Sequence, residues 1–170
     1  MAWTGTACNS GSPGGPDEAV PTYGPCNLPP NYVGEVVLNR WPSFPLTYFF
    51  DAASFPAEFL EDYRSAITDG IRRWDEATAR VVHSTGTPFL AGGEIQYNPT
   101  GMREGEDLVR EGRISRQTFL RGVSGIAAHE MGHLLGIIGH PSQDVLMGLL
   151  SFHDTPTTAD VNTLVHAYCR

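Results

Sequence analysis

"HEMGHLLGIIGH", residues 129–140, decides how this chain is read. It sets histidines at 129, 133 and 140 and a glutamate at 130. His129 and His133 are four residues apart, so on a helix they share one face, with Cβ atoms about 5–6 Å apart. Glu130 is turned about 100° from His129, beside that face rather than on it. The approach, "VSGIAAHEMGHLLG" (123–136), distributes Ile126, Ala127, Ala128, Met131, Leu134 and Leu135 around the helix. Ser124 is the expected N-cap and Gly136 the terminator. A helix apolar all round is buried, and polar side chains on it need partners.

A metal ion meets that need. Two imidazoles at this spacing reach one zinc ion at about 2.0–2.1 Å. Glu130 stands where a base for the attacking water belongs. A catalytic zinc takes three protein ligands and keeps one open place. The long pattern H-E-x-x-H-x-x-G-x-x-H puts the third ligand at position 139, where Gly139 has no side chain. His140 is the first metal-binding side chain after Gly136, one residue late, which is at most about 3.3–3.6 Å of chain. Gly139 permits the φ that a bulge requires, so His140 is the expected third ligand. Asp144 and His153, on either side of Met147, are the rivals, and a plain loop histidine is the bland alternative. His83 and His166 read as structural or exposed.

The remaining chain supplies the frame. A net charge of −8 argues against a nucleic-acid partner. No apolar run approaches the roughly 18 residues of a membrane span. Residues 1–30 read as a flexible Pro/Gly-rich segment and 31–170 as one catalytic domain. "LTYFF" (46–50) reads as a strand. From 57 to 79, Phe59, Leu60, Tyr63, Ile67, Ile71 and Trp74 recur at three- and four-residue steps, predicting a long helix with Pro56 in its first turn and Gly70 as a weak point. "ARVVHS" (79–84), "GEIQYN" (93–98) and "RISRQTFL" (113–120) read as strands, and 99–112 as a polar loop with room for a short helix. "TPTTADVNTLVHAYC" (155–169) predicts a C-terminal helix capped by Thr157 or Thr158, with Val161, Leu164, Val165 and Tyr168 inward. These elements make an α+β domain with a cleft beside the buried helix.

The stretch H-E-M-G-H-L-L-G, followed by a histidine and then the methionine of "DVLMG" (144–148), resembles the metzincin clan of zinc endopeptidases. "LTYFFD" (46–51), "IRRWDEAT" (71–78) and "TTADVNTLVHAY" (157–168) are similar to its matrixin branch, especially small bacterial members. The resemblance covers roughly residues 40–169 and is carried by 124–147. It implies a metzincin-like catalytic domain: a twisted mixed β-sheet with a long backing helix, a buried zinc-binding active-site helix and a C-terminal helix. It implies His129 and His133 as zinc ligands, Glu130 as general base and Met147 as the methionine of the turn beneath the metal. His140 departs from the family spacing. The implied activity is zinc-dependent hydrolysis of a protein or peptide substrate by a monomer, with one catalytic Zn2+ ion.

Matrixins often bind a second zinc and calcium in a loop rich in histidine and aspartate. Residues 99–123 lack that pattern, so neither ion is expected. No tyrosine follows Met147 at the spacing some metzincins use. Leu149, Leu150 and Phe152 read as pocket lining or as core, and an exposed strand edge would take an extended peptide. The alternative is a catalytically inactive zinc-binding fold serving as a protein-interaction module, which would not need Glu130. A deformylase-like hydrolase would need a cysteine near the motif, and Cys8, Cys26 and Cys169 are all remote.

Three cysteines leave at least one without an intramolecular partner. Cys26, in "GPCNLPP", faintly resembles the cysteine that blocks zinc in matrixin zymogens, without that motif's arginine and aspartate. A disulfide, Cys26–Cys169 or Cys8–Cys26, is the preferred reading. The N-terminus has no complete signal peptide, and the cysteines point to a secreted or cell-envelope protein.

Overall fold

The three- and four-residue apolar steps after Phe55 do build a long helix. The computed structural model describes residues 2–4, 26, 28–41, 46–78, 95, 97–149, 151 and 153–168. Helix α1 is Leu60–Thr78. Pro56 precedes it by a turn, its carbonyl accepting from Phe59 N–H at 3.0 Å. Tyr63, Ile67, Ile71 and Trp74 are buried. Gly70, read from sequence as a weakness, is a contact point. A Cβ there would run into Ser124 O and lie 2.7 Å from Ala127 Cβ on helix α3, Arg116–Leu135. Glycine facing small residues brings α1 against α3, and Trp74 Nε1 donates to Ala128 O at 2.6 Å.

Two segments differ from their sequence reading. Residues 99–112 hold a regular helix, α2, Pro99–Arg110. Asn98 caps it, accepting from Thr100 N at 3.0 Å, and Pro99 opens its first turn. Its polar composition misled, because the polar groups support the helix. Arg110 pairs with Asp107 at 2.6 Å and with the buried Glu106 at 3.3 Å, each within one turn. Glu106 also accepts from Tyr63 OH at 2.6 Å. The expected strand 113–120 is the beginning of α3. Ser115 Oγ accepts from Thr118 N at 3.0 Å as N-cap, and this local cap outweighs the short alternation of Ile114 and Leu120. Ser124 is therefore interior, donating to Asp69 Oδ2 at 3.0 Å. Ile126 faces outward at 48% exposure, so α3 is not apolar-buried all round.

The expected α+β class, with its twisted mixed β-sheet, is overturned. β1 (Ala2–Thr4) pairs antiparallel with β3 (Thr47–Phe49), and β2 (Val37–Leu38) pairs antiparallel with β4 (Ile137–Ile138). Among the described residues these two separate pairs are all the sheet there is, and helices dominate. The long helix backs α3, not a sheet. The reading of 79–84 as a strand, His83, and residues 93, 94 and 96 of the expected strand 93–98 lie outside the described residues, and 95, 97 and 98 are not in a strand.

Helix α4 is Thr158–Tyr168. Thr157 and Asp160 form a reciprocal cap: Thr157 N donates to Asp160 Oδ2 at 2.7 Å, and Asp160 N to Thr157 Oγ1 at 3.3 Å. Leu164, Val165 and Tyr168 point inward as expected, while Val161 is half-buried. One apolar cluster, including Trp74, Ile137, Leu146, Met147 and Leu164, joins the end of α3 to α4. A second, including Phe59, Tyr63, Ile71 and Ala127, joins α1 to α3. No helix among the described residues is long and apolar enough to cross a membrane.

Candidate metal centre

The last two turns of α3 carry His129, Glu130 and His133, all half-buried. A carbonyl oxygen can only accept, so each partner below fixes a proton on the ring nitrogen facing it. His129 Nδ1–H donates to Leu146 O at 2.7 Å, and His133 Nδ1–H donates to Ile137 O at 2.7 Å. That leaves Nε2, on the far side of each ring, as the nitrogen able to ligate a metal. This is the outer support that metal-bound histidines ordinarily have.

Gly136 ends the helix at φ 123°, its N–H donating to Gly132 O and His133 O at 3.2 and 3.0 Å. Only glycine fits there, since a Cβ would run into Asn39 O. The chain then forms β4, with Ile137 fully buried and Ile138 exposed. Gly139 follows at φ 108°, a left-handed value that returns the chain toward the helix. His140 arrives next. Its ring lies 5.2 Å from that of His129 and 5.0 Å from that of His133, centroid to centroid. One ring nitrogen from each of the three lies within 4.8 Å of the others. Nε2 of His140 and Nε2 of His129 are 3.2 Å apart. Two nitrogens on a tetrahedral zinc at about 2.0–2.1 Å stand roughly 3.3 Å from each other, so the His129–His140 pair has the separation such an ion needs, and the third donor lies within 4.8 Å. Burial, then the neighbouring His133 and His129, push the His140 pKa below its ordinary value.

The rival ligands do not join this group. His153 Nε2 lies 3.3 Å from the carboxylate of Asp144 and 3.1 Å from its carbonyl, and the Asp144 side chain is 80% exposed. Met147 is fully buried under α3; a Cβ at Gly132 would run into its Sδ and lie 2.8 Å from Trp74 Cζ2. It packs below the helix turn that carries the two histidines, where the methionine turn was expected. Leu149 is exposed, Leu150 and Phe152 lie outside the described residues, and His166 is half-buried on α4. Cys26 is disulfide-bonded, so its thiol is not available to a metal; Cys8 and Cys169 lie outside the described residues.

Four residues bearing on the site escaped the sequence reading. Asp160, fully buried, accepts from Leu146 N at 3.0 Å and Met147 N at 3.2 Å, and so holds the turn whose carbonyl holds His129. Trp41 Nε1 donates to Leu134 O at 2.6 Å, at the end of α3. Glu35 accepts from Ser142 beyond His140. Tyr97 has a buried hydroxyl without a hydrogen-bond partner among the described residues; burial first, and the Glu130 charge second, raise its pKa. Only Asp160 left a signal, the T-x-x-D spacing of its cap.

Comparison of the chain with protein-family models, with curated proteins and with solved structures gives no match.

Proposed function

We propose that the protein is a zinc-dependent endopeptidase whose metal ligands are His129, His133 and His140 and whose general base is Glu130. The observation that carries this is the convergence of three imidazole nitrogens, from His129, His133 and His140, within 4.8 Å of one another, with Glu130 next to His129 on the helix. Three nitrogen donors leave one coordination place open, which is the pattern of a catalytic rather than a structural zinc. His140 is exposed, so the group is open to solvent and substrate. Bound there, zinc supplies Lewis acidity toward a carbonyl and toward water. The chain's own part falls to Glu130. Its carboxylate takes a proton from the attacking water and returns it to the leaving amine nitrogen. The Nδ1 bonds of His129 and His133 hold both rings in one tautomer throughout.

The proposal rests on the site and its metzincin-like motif, not on the fold. We extend it to a peptide substrate, a monomer and export from the cell; the Cys26 disulfide favours an oxidising compartment.

The test is Glu130→Ala. It is expected to keep the zinc content of wild type while turnover of a broad peptide library falls by about 10²–10⁴-fold. His140→Ala is expected to lose both zinc and turnover. A wild-type protein that takes up no zinc, or a Glu130→Ala variant that cleaves as fast as wild type, refutes the reading. Zinc uptake without any cleavage by wild type favours the interaction-module alternative.

A further inference from the structure

The three histidines are held in different ways. His129 and His133 project from a helix, and each is tied through Nδ1 to a backbone carbonyl. His140 lies beyond the helix and is exposed, and among the described residues its one hydrogen-bond contact is His129 itself. Its ring has no backbone anchor, so its place depends on its own main chain.

That main chain is fixed on both sides by a single distant segment, residues 32–41. Before His140, Ile137 and Ile138 pair with Leu38 and Val37, and Asn39 N–H donates to Gly136 O at 2.8 Å. After it, the Glu35 carboxylate takes three donors: Ser142 N at 2.7 Å, Ser142 Oγ at 2.8 Å and Gln143 Nε2 at 3.1 Å. The segment is itself pinned at both ends. Tyr32 donates through N to Thr163 Oγ1 at 3.0 Å and through its hydroxyl to Asp160 Oδ1 at 2.6 Å. Trp41 donates through N to Tyr168 OH at 3.1 Å and through Nε1 to Leu134 O at 2.6 Å.

We propose that residues 32–41 form a strap that holds the third metal ligand in place, with Glu35 as its positioning residue. This rests on the zinc reading above. The loop between the two fixed points is short: Gly139, His140 and Pro141. Gly139 has the freedom of glycine, and Pro141, buried, restricts the backbone of His140 before it. Glu35 closes the far end of this loop from the surface. Without it the next hydrogen-bonded tie to a distant segment among the described residues is at Leu146, and the freedom of Gly139 passes to the His140 ring. The strap thus does for His140 what the Nδ1 bonds do for the other two rings. Glu35 is exposed and fills no core space, so its removal acts on the loop rather than on the fold.

The experiment compares full-length wild type, Glu35→Ala, Glu35→Gln, Ser142→Ala and His140→Ala. It reads zinc affinity by chelator competition, the visible spectrum of the cobalt(II)-loaded proteins, and thermal unfolding without metal. Loss of an outer-shell support weakens metal binding by about 10–100-fold, and that loss is expected for Glu35→Ala. Its cobalt bands should weaken toward those of His140→Ala, while its metal-free melting stays that of wild type. Glu35→Gln keeps an oxygen for Ser142 and should restore most of the affinity; Ser142→Ala, which loses one of three donors, should fall between. Wild-type zinc affinity in Glu35→Ala overturns the strap and leaves the zinc reading standing. A lowered metal-free melting point shared by Glu35→Ala and Glu35→Gln, with affinity intact, also overturns it. A wild-type protein that binds no zinc overturns both.

Discussion

Asp160→Asn is the substitution whose effect the hydrogen bonds define most closely. The carboxylate is fully buried and takes five donors. Oδ1 accepts from Tyr32 OH at 2.6 Å and Met147 N at 3.2 Å. Oδ2 accepts from Leu146 N at 3.0 Å and from Thr157 N and Oγ1, both at 2.7 Å. An asparagine has the same shape but only one acceptor oxygen. Set at the Oδ2 position, that oxygen keeps three donors, and the new NH2 faces Tyr32 OH and Met147 N. The hydroxyl can rotate and accept; the backbone N–H cannot. The opposite placement strands two backbone donors, so the first is adopted. One buried donor without a partner costs about 1–3 kcal/mol, and exchanging a charged acceptor for a neutral one weakens the surviving bonds by roughly 1 kcal/mol more.

The expected loss is therefore about 2–4 kcal/mol, or about 4–16 °C in Tm at the scale of a chain this size. Alanine is the wrong probe: stranding all five donors approaches the whole stability of a domain, about 5–15 kcal/mol. The assay is urea unfolding of the metal-free protein, where the midpoint should fall without a change in m. Because Asp160 holds Leu146 and Leu146 O holds His129, zinc affinity should fall as well, by about 10-fold. A variant within about 0.5 kcal/mol of wild type, the range of an ordinary surface change, refutes the account of Asp160 as the hub beneath the site.

Two further outcomes are expected. Gly132→Ala should be destabilising by about 1–3 kcal/mol from overpacking against the buried Met147 and Trp74, although alanine is the better helix former; a thermal melt at or above wild type refutes the close approach. Burial raises the pKa of Tyr168 from 10.0 to about 12, and those of Tyr32, Tyr63 and Tyr97 also rise. The unfolded chain gives up these protons first, so stability is full below about pH 10 and falls as pH climbs toward 12 and beyond. Phenolate absorbance and loss of helical circular dichroism should appear in one cooperative step. Smooth titration of all six tyrosines near pH 10 with the helices intact contradicts this.

Legibility followed the kind of force that holds each element. α1, α4 and the second half of α3 announce themselves because apolar steps, a T-x-x-D cap and a terminal glycine are local signals. α2 and the first half of α3 did not, because their faces are polar and their support comes from ion pairs and caps that composition hides. Arg110, for instance, serves Glu106, Asp107 and also Glu58 on the neighbouring segment. The twisted mixed sheet entered with the resemblance. Of the strands read from the residues, 46–50 holds β3, 113–120 gave way to a serine cap, and 79–84 lies outside the described residues. Gly70 shows the limit of propensity: judged alone it weakens a helix, but against Ser124 and Ala127 it is the point of closest approach between two.

The site divides along the same line. His129, Glu130, His133 and His140 lie within twelve residues, close enough in sequence to be read as one site. Their supports are remote: Trp41 is 93 positions from Leu134, and Glu35 is 107 from Ser142. No periodicity links such pairs. The late arrival of His140 joins the two halves of the argument. The added residue does not hang loose in a wider loop. Ile137 goes into the core and lends its carbonyl to His133, while Ile138 pairs outward with Val37. A two-residue strand takes up the extra length, and the return to the helix passes to the positive φ of Gly139. Such a strand has meaning only with a partner, so the length of this loop and the segment 32–41 belong together. A chain that lengthened this loop without that segment would leave its third imidazole on a glycine hinge, free to miss the other two.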